Sequence, residues 1–298
     1  MYKKIWLNIL ILLAYFGWSA LPSFAQQWQT IKNNQLYGIS GISLVEQKNT
    51  DATLFLVVHD NKKAGNTKLA LVKLRGDRSA QYWPLKWLTD QPEPVDLEGL
   101  TTIPDSNTFM AMSSRGEIYH LQLDQEKKTV SVLQVFSWPN IPANSNFEGF
   151  LLKNFNGVLV AIATDRGDGR KPATIHWGIF DPVTYQIIPQ GNINWQVPWP
   201  QGTVRHISDL KVDDTGVIFI TAANDPGDDG PFQSAVYLAG VLEIIDQQIN
   251  LRINPSPVMI YRFDQYKVEA LELIPGIYGG LVFGSDDEKA GGSIFLSW

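Results

Sequence analysis

Cysteine is absent from all 298 residues. Its absence excludes a disulfide framework, thiolate chemistry and an acylated lipoprotein leader. Histidine is scarce, at four residues. His59-Asp60, and His206 beside Ser208-Asp209, therefore read as chance neighbours and not as parts of a serine-hydrolase triad. Gly38-Ile39-Ser40-Gly41-Ile42 lacks the final glycine of a nucleophile elbow and precedes a strand pattern, not a helix. There is no HExxH helix, no P-loop and no dinucleotide fingerprint. Asp225-Pro226-Gly227-Asp228-Asp229-Gly230 is acidic and glycine-rich, but its spacing is not that of an EF-hand and it reads as a solvated turn. Beyond Leu21 no apolar run is long enough to span a bilayer. Positive charge is short too, with 24 lysines and arginines against 30 acids.

What is present begins with a leader. Lys3 and Lys4 precede an apolar run over 5–21, and Ser23-Phe24-Ala25 supplies the small residues of a cleavage site after Ala25. The expectation is a signal peptide over 1–25 and one domain over 26–298, periplasmic or secreted, with no membrane span after cleavage. Without the two leader lysines the balance is 22 basic residues against 30 acidic. Such a surface disfavours nucleic acid and anionic membranes, and suits cations or neutral ligands. Lacking disulfides, the mature chain must be held by its core alone.

A short pattern recurs five times and decides the fold class. Its copies are Ile39-Ser40-Gly41-Ile42-Ser43-Leu44, Leu97-Glu98-Gly99-Leu100-Thr101-Thr102, Phe147-Glu148-Gly149-Phe150-Leu151-Leu152, Ile207-Ser208-Asp209-Leu210-Lys211-Val212 and Val268-Glu269-Ala270-Leu271-Glu272-Leu273. Steps of 50 to 61 residues between their second positions suit a four-stranded propeller blade, and are too long for a helical or leucine-rich solenoid. The second repeat divides into strands over 98–103, 108–113, 117–123 and 129–138; the third into 148–154, 158–164, 173–180 and 186–195. Only 236–245 is ambiguous between strand and helix. The fifth repeat ends after its third strand, 293–298, while an orphan strand at 27–32 precedes the first repeat. The reading is an all-β chain: a single β-propeller of five four-stranded blades, closed by the N-terminal strand completing the last blade. A sixth blade would need a repeat hidden within 182–205.

The order of these segments resembles the phytase-like propellers, the family labelled "esterase-like activity of phytase". The similarity runs over roughly residues 36–298. It is carried by Ser40-Gly41-Ile42-Ser43 with Leu56-Val57-Val58-His59-Asp60-Asn61, by Asp96-Leu97-Glu98-Gly99-Leu100 with Ala111-Met112-Ser113-Ser114, and by Asn146-Phe147-Glu148-Gly149-Phe150. Ile207-Ser208-Asp209-Leu210, Val268-Glu269-Ala270-Leu271 and Phe283-Gly284-Ser285-Asp286-Asp287 complete it. The resemblance implies a ring of carboxylates around a central funnel, holding calcium. The chain departs from that family in having fewer than six blades, and in carrying serine in place of the acid at Ser40 and Ser208.

Topology gathers the chemistry. In a propeller the start of each innermost strand and the loop after the second strand meet at one mouth. Ser40, Glu98, Glu148, Ser208, Asp209 and Glu269 are thereby expected to line it, with Asp60, Arg115, Asp165, Arg166, Asn224, Asp225, Asp286 and Asp287 on loops above. Oxygen ligands converging from several strands suit Ca²⁺, and Glu98, Glu148, Asp209, Glu269 and Asp286 are the candidate metal ligands. Glu98, Glu148, Arg115, Arg166 and His206 are the candidate catalytic groups, with Arg205 as a further anion binder. The corresponding function is a calcium-dependent phosphoesterase acting on a small anionic ester. Three alternatives stand beside it. The acids can instead receive backbone N–H groups from neighbouring blades and set blade spacing. The propeller can be a non-catalytic envelope module that binds protein or glycan through Tyr82, Trp83, Trp87, Trp195 and Trp199. Two funnel acids can also serve a glycosidase.

Overall fold

The computed structural model describes residues 28–32, 34–48, 52–75, 79–88, 92–245, 248–276 and 279–297. The expected leader and its cleavage site lie outside the described residues, and among these no helix is long and apolar enough to cross a membrane.

Strand β1 (Gln29–Lys32) comes first. Blade one is β2 (Gly41–Lys48), β3 (Ala52–Val58), β4 (Leu69–Arg75) and β5 (Ala80–Pro84), followed by the short β6 (Lys86–Leu88). Blade two is β7 (Leu97–Thr102), β8 (Thr108–Ser113), β9 (Glu117–Asp124) and β10 (Thr129–Ser137). Blade three is β11 (Phe147–Phe155), β12 (Val158–Asp165), β13 (Ala173–Asp181) and β14 (Gln186–Trp195). Blade four is β15 (Val204–Val212), β16 (Val217–Asn224), β17 (Ser234–Ile245) and β18 (Gln248–Phe263). Blade five is β19 (Val268–Ile274), β20 (Gly280–Asp286) and β21 (Gly292–Leu296).

Each blade is an antiparallel meander, and β1 pairs with β21 to give blade five its fourth strand (Gln29↔Ile294, Thr30↔Ser293). The innermost strands β2, β7, β11, β15 and β19 touch in cyclic order, with β19 against β2. The architecture is thus the five-bladed propeller expected from the repeats, tied shut by the N-terminal strand. Trp28 fixes that tie: its ring stacks on Tyr266 at 4.2 Å and meets Phe263 edge-on at 5.2 Å. The segment 182–205 holds a turn, β14 and the connection to β15, not a sixth blade, and 236–245 is strand. One element was not foreseen. Strand β6 runs parallel to β10 and covers the outer edge of blade two, which would otherwise offer free backbone groups to another chain.

Sequence explains the layering. Second strands are buried along most of their length, as in Met110-Ala111-Met112 and Ala161-Ile162-Ala163, and innermost strands over at least their first residues, as in Phe147 to Leu152, whereas outer strands such as β14 alternate with solvent. Blade-to-blade cores form wherever the faces meet. Between blades three and four, for example, Ile162, Ile175 and Trp177 pack with Leu210, Ile220 and Tyr237.

An irregularity at the entry of four of the five innermost strands re-aims residues out of the ladder. The pairing register shifts between Leu97 and Gly99, between Phe147 and Gly149, and between Val268 and Ala270, freeing Glu98, Glu148 and Glu269 from the ladder. In blade four the shift runs from Arg205 to Asp209 and takes in Ser208. The glycine that follows permits the next blade to close in. A Cβ on Gly99 would lie 2.5 Å from the Phe150 Cβ on blade three, and one on Gly149 3.0 Å from Leu210 N on blade four.

Candidate functional site

Around the axis the repeat positions read Ser40, Glu98, Glu148, Ser208, Glu269, one from each blade, and each is at most 7% exposed. Three of these entries are carboxylates, and their convergence is visible in shared partners. Arg205 Nη1 donates to Glu269 Oε1 and lies 3.6 Å from Glu148 Oε2, so one guanidinium joins blades three and five. Its Nη2 donates to Asp225 Oδ2 at 2.7 Å. Arg166 Nη1 donates to Glu148 Oε1 at 3.0 Å. Lys267, with its side chain 1% exposed, sits 3.5 Å from Glu269 and 3.7 Å from Asp286, and donates to Glu288.

The other half of the mouth is different. Glu98 and Asp60 have no hydrogen-bond or ion-pair partner among the described residues. Asp96 accepts from Ser114 Oγ at 2.6 Å and lies 3.2 Å from the exposed Lys62 ammonium. Asp96 also holds a φ of +63°, a left-handed backbone that aspartate tolerates better than most residues. One carboxylate oxygen from each of Asp60, Asp96 and Glu98 lies within 4.8 Å of the others. Burial, with Glu148 and Glu269 adding repulsion, pushes the Glu98 carboxyl well above its usual range. Burial together with Glu269 raises Asp60 in the same direction. Burial also lifts Glu148 to about 7, although Arg205 and Arg166 oppose it.

Two hydroxyls complete the ring without partners. Ser40 Oγ and Ser208 Oγ are buried and unbonded, as is Arg205 Nε. A buried polar group left unmet costs about 1–3 kcal/mol.

The expected site residues therefore separate. Glu98, Glu148, Glu269, Asp286 and Arg166 come together at the mouth, joined by Arg205, Asp225 and Asp60 from the expected set. Asp209 takes another position: it occupies the slot that Gly99 and Gly149 fill elsewhere. There it accepts the N–H of Leu271 on blade five at 2.8 Å, with Lys211 at 3.4 Å. Glu272 likewise accepts the N–H of Leu44 on blade one at 3.1 Å. The blade-spacing role weighed for the acids thus falls to Asp209 and Glu272. Arg115 is exposed on the loop after β8 and enters no side-chain hydrogen bond or ion pair with another described residue. His206 is 3% exposed. Its Nδ1 accepts from Val197 N at 3.3 Å and its Nε2 sits 2.8 Å from Gly169 O, an arrangement that holds the ring neutral as a loop tie. Asp287 accepts from Lys267 N and Ser285 Oγ, again holding local structure.

Three groups at the mouth were not singled out from the sequence: Asp96, Lys62 and Lys267. Each directly precedes an innermost strand or follows Asp60, so strand-entry position was the available signal. The aromatic set does not share one face. Trp83 and Trp87 pack on the blade-one/blade-two core, Trp195 and Trp199 belong to the blade-three/blade-four core, and Tyr82 bonds His59.

No protein-family model matches the sequence, and no curated protein matches it. Solved structures do align. A putative exo-β-1,3-galactanase from Bifidobacterium bifidum s17 aligns with a TM-score of 0.50 at 10% identity, over 91% of this chain and 96% of that one. An exo-1,5-α-L-arabinanase from a bovine ruminal metagenomic library gives 0.49 at 8% identity, over 91% and 94%. A GH32 β-fructofuranosidase of Bombyx mori gives 0.48 at 10% identity; it covers 99% of this chain, which spans only 66% of that protein's length. At such identities the likeness is one of fold, and fold does not carry activity with it.

Proposed function

We propose that the protein is a hydrolase of the phytase-like propeller class, which binds a divalent cation such as calcium at Asp60, Asp96 and Glu98 and cleaves a small phosphoric ester at the channel mouth. The observation that carries this reading is the pair of unpartnered carboxylates, Asp60 and Glu98, converging with Asp96 within 4.8 Å. The donor set suits the ion: all are hard oxygens, and two oxygens on one calcium stand at most about 5 Å apart. Two of the three also lack any competing partner. When bound, the cation would polarise a phosphoryl oxygen and offset the repulsion among these acids.

The remaining residues divide the work. Arg166, part-exposed beside Glu148, and Arg205, which joins Glu148, Glu269 and Asp225, would offset the charge of the anionic ester. Glu148, with a pKa near neutrality, suits proton transfer at the reacting centre. Water adds to phosphorus, the ester P–O bond breaks, and the alcohol leaves with a proton that Glu148 relays. Metal analysis of the purified protein, with turnover of an aryl phosphate measured with and without chelator, tests the proposal. Bound calcium and chelator-sensitive turnover are expected; neither metal nor turnover would reject it.

A glycosidic substrate is the second reading. Asp60, Asp96, Glu98, Glu148, Asp225, Glu269, Asp286 and Glu288 outnumber Lys62, Arg166, Arg205 and Lys267 at the mouth. That surplus favours a neutral, hydroxyl-rich ligand when no cation is bound, and galactanase is a name carried by an aligned structure. Turnover of aryl glycosides that persists in chelator would select it.

A further inference from the structure

A second opening lies on the axis, at the end away from the mouth. A cavity of about 480 Å³ is walled there by the far ends of all five innermost strands: Leu44 on β2, Thr102 on β7, Leu152 on β11, Val212 on β15 and Leu273 on β19. Its volume falls within the roughly 300–1,000 Å³ typical of small-molecule sites. Among the described residues, none of the mouth carboxylates lines it. Lys211 stands at its deep end, toward the mouth. The ammonium donates to Leu100 O on blade two at 3.0 Å and lies 3.4 Å from Asp209, and the side chain is 3% exposed.

Every charged residue of that lining already has a partner within the chain. Lys153 pairs with Asp214 at 2.5 Å, and Asp213 Oδ1 accepts Thr215 N and Val217 N at 2.9 Å each. Glu272 accepts Leu44 N at 3.1 Å and Leu273 N at 2.8 Å, while Lys211 is held as described. The rest of the wall is apolar, chiefly Leu44, Leu151, Leu152, Val212, Leu273 and Ile274. Leu44 and Leu273 are only half-buried although they sit on innermost strands, so their apolar surface is offered to the cavity. Such a wall gains by covering apolar surface, and would strip water from a charged guest without replacing its hydrogen bonds. Spread evenly, the volume is about 10 Å across, no wider than a helix with its side chains at about 10–12 Å. A small molecule fits it, and a docked helix does not.

We propose that this cup is a second ligand site, which takes an uncharged small molecule with an aromatic or alicyclic body. A ring system of that kind is compact and rigid. It fills the cup with apolar contact and loses little conformational freedom on entry. The site shares no residue with the mouth and does not depend on the hydrolase reading.

Fluorescence titration of the full protein with N-phenyl-1-naphthylamine, an uncharged probe, tests this beside the same body carrying a sulfonate, 1-anilinonaphthalene-8-sulfonate. One saturable site is expected, with the neutral probe bound about tenfold or more tightly, because the sulfonate would be buried unpaired. Calorimetry should show a negative heat-capacity change, the mark of apolar surface covered on binding. Leu273→Trp, which carries an indole into the cup, should weaken the neutral probe about tenfold or more by occupying its place. Leu44→Trp fills the cup from blade one and serves should the first variant fail to fold; should both fail, the wild-type preference between the two probes decides. Glu98→Gln at the mouth should bind the neutral probe as the wild type does. Absence of saturable binding, a sulfonate bound equally well, a filled variant that binds normally, or lost binding in Glu98→Gln would each overturn the assignment. So would self-association in sedimentation that the neutral probe dissolves, which would give the cup to a second copy of the chain.

Discussion

The two ends of the channel are built from the same repeat and treat polar groups in opposite ways. At the inner end the polar side chains of the innermost strands have been given work by the fold in several described places. Asp209 and Glu272 accept N–H groups from the next blade, Thr101 Oγ1 accepts Leu152 N at 3.2 Å, Ser43 bonds Thr102 at 2.7 Å, and Lys211 caps Leu100 O. An innermost strand has a free edge facing the axis, and these side chains satisfy it. At the mouth, Glu98 and Asp60 stand without partners among the described residues and Ser40, Ser208 and Arg205 keep unmet atoms. Stability does not ask for such an arrangement. Departures of this kind concentrate where a ligand completes the structure.

Substitutions should expose the contrast. The largest effect is expected at the inner end. Asp209→Ala strips a buried lysine of its carboxylate and Leu271 N–H of its acceptor, and should cost about 3–5 kcal/mol in urea unfolding. Glu98→Gln at the mouth should leave stability unchanged or improved, since it replaces an unpartnered acid that burial already pushes toward the neutral form. Similar losses from both variants would break the comparison. Next in size is Gly99→Ala, whose methyl meets Phe150 at the blade junction; about 1–3 kcal/mol of overpacking is expected by the same measurement.

The pH dependence sharpens it further. Glu148 titrates at about 7 and Asp209 and Asp287 at about 6, against 4.5 and 3.8 for free glutamate and aspartate. Between about pH 4 and 7 these acids bind more protons in the folded chain than in the unfolded one, and their contribution to stability rises as pH falls through that window. The histidines, whose burial lowers them, His59 to about 4, oppose this in part. Without calcium, Glu148→Gln should flatten the dependence of the thermal midpoint on pH between about 5 and 7.5 relative to the wild type; an identical profile in the two proteins would contradict the raised Glu148. The smallest effect belongs to the surface. Arg252→Ala, which breaks an exposed pair with Glu243, should leave the urea midpoint unchanged, because solvent and salt screen such a pair.

Much of the ring was legible in the residues. The five copies of the strand-entry pattern, the missing outer strand of the last blade and the orphan strand before the first together specify a closed five-bladed wheel. The meeting of Glu98, Glu148 and Glu269 follows from that topology. What a period of two could not supply was which neighbour a side chain meets once strands pack edge-on around an axis. Asp209 looked like a channel acid because it follows the Ser208 entry, yet it fills the glycine slot and turns to the next blade. Lys211 gave no local signal, since its partner, Leu100, is two blades away. Asp96 was visible only as part of a motif; its left-handed backbone and its place beside Asp60 come from tertiary structure. Strand β6 is three residues long and pairs in parallel, which short-range patterning does not register.

The account turns on unpartnered acids at the mouth being a ligand site, and calcium titration followed by the thermal unfolding midpoint addresses this directly. Calcium at about 100 times its dissociation constant stabilises a binding protein by about 2.7 kcal/mol. The wild type should show a rise of several degrees, the Glu98→Gln variant almost none, and a Glu272→Gln variant at the inner end the full rise. A wild type indifferent to calcium, or a Glu98→Gln variant that responds as the wild type does, would contradict it.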